Sequence, residues 1–70
     1  MAVEMVPVQS SHVRAIGFDK EEPTLYVRFD NGTYAYDGVD EATYRAFLGA
    51  ESKGIFLEQQ IKGQYSYSRV

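Results

Sequence analysis

The stretch Leu25-Tyr26-Val27-Arg28-Phe29-Asp30-Asn31-Gly32-Thr33-Tyr34-Ala35-Tyr36 joins two alternating, β-prone runs through an Asn-Gly dipeptide. Asn-Gly takes the two positive-φ positions of a type I′ turn at low cost, so the stretch predicts a two-residue hairpin with Asp30 opposite Thr33. Paired residues project to the same face of a sheet and successive residues alternate. In this register Phe29 lies beside Tyr34 and Val27 beside Tyr36. Leu25, Val27, Phe29, Tyr34 and Tyr36 then form one apolar face, and Tyr26, Arg28, Thr33, Ala35 and Asp37 the other.

Outward from the hairpin, His12 to Phe18 reads as a strand antiparallel to Leu25-Phe29, with Ile16 and Phe18 inward by alternation. Val13 is then out of phase, and a bulge near Arg14-Ala15 would let Val13 and Ile16 share the core face. The acidic Asp19-Lys20-Glu21-Glu22-Pro23 reads as the solvated loop between the strands, and Pro7 makes the start of the chain a poor central strand. From Asp40 the apolar period changes. Asp40 suits an N-cap, Glu41 the first turn, and Val39 can pack on Tyr44 as a hydrophobic staple. Tyr44, Phe47 and Leu48 make a helical stripe that ends near Gly49. Ser52 caps a second, shorter helix carrying Phe56, Leu57 and Ile61, closed by Gly63. Tyr65-Ser66-Tyr67-Ser68-Arg69 alternates as a final extended segment. The expected fold is one α+β domain over residues 1–70: an antiparallel meander of at least three strands, Val13-Phe18, Thr24-Phe29 and Thr33-Tyr36, packed on one face by two short helices.

A 70-residue chain without cysteine holds one thin core and has neither disulfides nor thiolate metal sites to reinforce it. Six tyrosines and four phenylalanines supply the contact area. With a single histidine, His-Cys metal sites and thiol nucleophiles are excluded by inventory. Ser11 and His12 are neighbours on a strand and point to opposite faces, so that histidine cannot serve that serine as a base. The glycines punctuate strand ends and helix caps and form no phosphate cradle. No cofactor and no enzymatic activity are expected. Met1 to Ser10 lacks a basic region followed by an apolar run, and no apolar stretch approaches membrane-spanning length, so a cytoplasmic protein with no membrane partner is expected.

The formal charge of −3 opposes nucleic-acid binding by bulk electrostatics. It is unevenly spread: residues 1–51 carry four basic against nine acidic side chains, while residues 52–70 carry Lys53, Lys62 and Arg69 against Glu58. Lys53, Lys62, Tyr65, Tyr67 and Arg69 therefore form the candidate nucleic-acid site, since rings beside cations stack and neutralise single strands. The same tyrosines would also complete the edge of a core, with the charges simply solvated.

The order Ser10-Ser11, Gly17-Phe18-Asp19, Leu25-x-Val27-x-Phe29, Gly32, Tyr34-x-Tyr36-x-Gly38-Val39, Tyr44, Leu48, Ala50-x-Ser52-x-Gly54-x-Phe56, Ile61-Lys62 and Tyr65-x-Tyr67 resembles the KTSC domain. That family is named after the C-terminus of some lysyl-tRNA synthetases and also occurs as short stand-alone bacterial and phage proteins. The resemblance implies a compact α+β fold, a proposed RNA-binding role and no catalytic activity. Two positions depart from the pattern: Leu57 stands where the family often has asparagine, and Asp40 where it usually has proline. Three readings are carried forward: a recognition module for RNA, tRNA included; a small protein-interaction module of the phage type that engages a host protein; and a small hydrolase, against which the residue inventory speaks.

Overall fold

Val13 and Ile16 are both fully buried, although plain alternation would send them to opposite faces. The computed structural model, which describes residues 3–10 and 12–70, resolves the conflict at Arg14. Strand β2 (Val13–Asp19) pairs antiparallel with β3 (Thr24–Phe29), and the pairing steps from Val13 opposite Phe29 to Ala15 opposite Arg28. Arg14 is the extra, bulged residue, and it ion-pairs with Asp30 at the hairpin.

The hairpin corrects the expected register. Strand β4 (Gly32–Asp37) pairs Phe29 with Gly32, Val27 with Tyr34 and Leu25 with Tyr36, so the loop is Asp30-Asn31. Among the described residues no non-glycine residue has positive φ, and Gly32 sits at φ +144°, so the turn is not type I′. The observed register gives every residue of β3 and β4 a partner, from Thr24 opposite Asp37 to Phe29 opposite Gly32. The expected one would leave Thr24 and Leu25 to pair beyond Asp37, with Gly38 and with Val39, which is instead fully buried. The displacement is two residues, so each side chain keeps its expected face.

A short strand β1 (Met5–Pro7) lies on β2, and β5 (Tyr67–Arg69) lies on β4, completing a five-stranded antiparallel sheet in sequence order. Pro7 is in an edge strand, as its missing N–H requires. Helix α1 (Glu41–Gly49) opens at Asp40, whose carboxylate accepts from the Thr43 amide at 2.9 Å. It ends at Gly49 with extended backbone at Ala50 instead of a left-handed cap. Helix α2 (Lys53–Phe56) opens at Ser52, whose hydroxyl accepts from the Ile55 amide at 3.3 Å. It runs into a π-helical turn, Leu57–Ile61, closed by a Lys62 N–H to Leu57 carbonyl bond of 2.7 Å.

Val13, Ile16, Leu25, Val27, Tyr36, Val39, Phe47, Leu57 and Ile61 form the core between the helices and one sheet face. Phe47 stacks on Phe56 at 5.2 Å, and Phe18 on Tyr44 at 5.2 Å. Among the described residues no helix is long and apolar enough to cross a membrane.

The α1 cap gives a pH-dependent prediction. Hydrogen bonds from the Thr43 hydroxyl and amide hold the Asp40 carboxyl below its ordinary value of 3.8. A lowered native pKa means the stabilisation is fully present above the unfolded value and is lost as pH falls through the native one. Asp40→Ala should therefore lower the thermal midpoint at neutral pH, and its deficit against the parent should shrink at an acid pH low enough to protonate the cap carboxylate. An equal deficit at both pH values would show that the carboxylate charge plays no part.

Candidate functional site

On the β4 and β5 side the helices do not close over the sheet, and a groove of about 650 Å³ remains. Its floor is a run of rings. Phe29 meets Tyr34 edge-on at 5.5 Å, Tyr34 meets Tyr67 at 5.7 Å, and Tyr67 meets Tyr36 at 5.5 Å. The strand register builds this run: Phe29, Tyr34 and Tyr36 share the helix-facing side of β3 and β4, and β5 sets Tyr67 opposite Tyr36 and Arg69 opposite Tyr34.

The facing wall is the π turn with its exit, Leu57, Glu58, Lys62 and Gly63. A π turn is wider than an α turn and recurs at functional sites. Here Leu57 and Ile61 are buried while Glu58 and Lys62 are exposed. His12, Asp30 and Asn31 close one end of the groove. The His12 ring lies against Gly54, where a Cβ would come within 3.5 Å of its Cδ2.

The groove carries mixed charge. The Arg14 hydrogen bond holds the Asp30 carboxyl below its ordinary range. Arg69 donates from Nη2 to the Asn31 carbonyl at 2.6 Å, and its Nε lies 2.9 Å from where a Gly32 Cβ would be, so glycine leaves the guanidinium its place. Burial, and after it the Tyr67 and Tyr34 hydroxyls, push the Tyr36 phenol up, so that ring is neutral at physiological pH. The result is an aromatic floor between cations and carboxylates, suited to a planar, partly polar group.

Of the five residues expected to form a site, the structure brings Lys62 and Tyr67 into the groove and sets Arg69 at its rim. Tyr65 packs against the core. Lys53 lies elsewhere: its Nζ donates to the Ala50 carbonyl at 2.6 Å, where it satisfies the end of α1. Phe29, Tyr34 and Tyr36, expected on the apolar face of the sheet, also line the groove, and Phe29 and Tyr34 are only half-buried. The alternation of Tyr65-Ser66-Tyr67-Ser68-Arg69 marks a strand, but it announces neither the pairing with β4 nor the register that sets Tyr67 opposite Tyr36. Ser11 lies outside the described residues, so its expected relation to His12 is not described.

A family model for the KTSC domain matches residues 9–65. An uncharacterized protein of Stutzerimonas stutzeri strain A1501 is 37% identical over 70 residues, spanning 97% of this chain and 99% of its own. A protein of Tsukamurella paurometabola is 39% identical over 62 residues, spanning 87% of this chain and 92% of its own. The crystal structure of a KTSC domain protein from Yersinia pestis superposes with a TM-score of 0.95 at 37% identity, over 99% of both chains.

Proposed function

We propose that this chain, which belongs to the KTSC domain family, is a non-enzymatic cytoplasmic recognition module that binds single-stranded RNA by stacking bases on the aromatic groove. One observation carries the reading: Tyr67 is 62% exposed yet sits in van der Waals range of both Tyr34 and Tyr36, beside Lys62 and Arg69. A large ring held in place but left bare offers a π-face to a ligand, and each stacked base contributes ~1 to 3 kcal/mol.

Stacking has to dominate because the net charge is −3. With Lys53 engaged at α1, Lys62 and Arg69 are left to meet phosphates, so the log-log salt dependence should be shallow, ~−1.4 for two contacts to a single strand. Fluorescence anisotropy with labelled single-stranded RNA tests this. Tyr67→Ala should weaken binding about tenfold or more, whereas Tyr26→Ala, on the opposite sheet face, should leave it unchanged. No binding at about 100 μM RNA in low salt, or equal binding by Tyr67→Ala, would sink the proposal.

A second reading, a protein-interaction module, draws support from Asp30 and Glu58 at the groove, because two carboxylates there repel phosphate. Capture from lysate with and without ribonuclease separates the two readings: a partner retained after digestion favours protein.

A further inference from the structure

The two edges of the sheet differ. At β1 the Val8 N–H to Arg14 carbonyl bond fixes which residues face β2, and by alternation Met5 and Pro7 turn their backbone groups outward. Pro7 has no N–H to offer, so that edge is blunted in the way edge strands are ordinarily protected. At β5, Asp37 donates to the Ser66 carbonyl at 2.8 Å and Val70 to the Thr33 carbonyl at 2.9 Å. Ser66, Ser68 and Val70 therefore face β4, and Tyr67 and Arg69 present their N–H and C=O groups to solvent. All of β5 is exposed, as is Val70 at 68%.

We propose that β5 is a self-docking edge, which pairs antiparallel with β5 of a second copy of this chain about a two-fold axis at Ser68. Hydrogen-bond parity restricts the registers, and the complementarity of Tyr67 to Arg69 selects a second copy as the occupant. Outward-facing residues must meet outward-facing residues, and pairing Tyr67 with Arg69 of the second copy, and Arg69 with its Tyr67, uses every free backbone group of the strand. It also sets each cation opposite a ring, which is attractive. A shift in one direction sets Arg69 opposite Arg69, like charges directly across a ladder. A shift in the other sets Tyr67 opposite Tyr67 and leaves Arg69 outside the strand pairing.

A two-fold axis normal to the sheet keeps equivalent faces on one side, so the two five-stranded sheets become one. The grooves then lie side by side, and each copy's Arg69 joins the rim of the other's groove next to Tyr67. This inference rests on the β5 edge and not on what the groove binds.

In the proposed register Ser68 meets its own copy as a non-hydrogen-bonded pair, with Cα atoms ~4.5 Å apart, inside the range a disulfide spans. The chain has no cysteine, so a single introduced thiol reports on this contact alone. Ser68→Cys under mild oxidation at about 20 μM should convert largely to covalent dimer, while Glu21→Cys, on the exposed β2–β3 loop, stays largely monomeric. Light scattering on the reduced parent should show mass rising toward the dimer with concentration, and Ser68→Asp should raise the dissociation constant about tenfold or more by opposing two carboxylates. Monomer mass for the parent at about 500 μM, or Ser68→Cys crosslinking no faster than Glu21→Cys, overturns the proposal.

Discussion

Replacing Phe47 by alanine is expected to remove most of the protein's stability. Phe47 is fully buried and its ring stacks on Phe56 at 5.2 Å, so it joins α1 to α2 across the core. Deleting a buried phenylalanine costs ~3 to 5 kcal/mol, and the whole stability of a small domain is about 5 kcal/mol. Urea titration followed by far-ultraviolet circular dichroism reads this directly, and a variant that keeps a full unfolding baseline and a parental midpoint would disprove the assignment. Phe29 is half-buried at the groove, so Phe29→Ala should cost less stability than Phe47→Ala and instead remove one end of the aromatic floor.

The second large effect is expected at Gly17, in the middle of β2. A strand interior ordinarily favours valine over glycine by up to ~1 kcal/mol, so propensity alone predicts that Gly17→Val stabilises. Contact geometry predicts the opposite. A Cβ at Gly17 would lie 2.6 Å from Met5 Sδ, 2.9 Å from the Glu4 carbonyl oxygen and 2.9 Å from Val3 Cγ1. The thioether can swing away, but the carbonyl belongs to the backbone next to β1, so that segment must move. Overpacking of this kind costs ~1 to 3 kcal/mol, which outweighs the propensity gain. Gly17→Val should therefore melt several degrees below the parent and lose amide protection in β1 first. A midpoint at or above the parental one would mean that β1 is only loosely held.

The faces of the sheet were readable because side-chain alternation survives a two-residue displacement of the hairpin. The register itself was not, since it was decided by completing the Thr24–Asp37 end of the ladder and not by the turn dipeptide. The Arg14 bulge was readable from the phase of Val13 against Ile16, and the two helix starts from Asp40 and Ser52. The π turn was not, because the spacing from Leu57 to Ile61 suits an α stripe equally well. Most of the groove was hidden for a related reason: it exists only where β5 meets β4, and no local pattern announces a pairing between strands so far apart in the chain. Lys53 shows the limit of counting charges, since its ammonium is taken up by a helix end.

The sequence-ordered sheet also has a consequence for how the molecule assembles. Strands β1 to β4 pair with their immediate neighbours in the chain, so each hairpin closes a short loop, and such local topologies fold fast. Strand β5 is the exception, because α1, α2 and the π turn all intervene between it and β4. Its closure loop is the longest, and its gain from three paired residues is among the smallest. The expected order of events is a rapid meander, then helix docking, then β5, so the groove is the last feature to form and the first to open. In pulse-labelling hydrogen exchange the amides of β2 and β3 should gain protection ahead of the Ser68 amide.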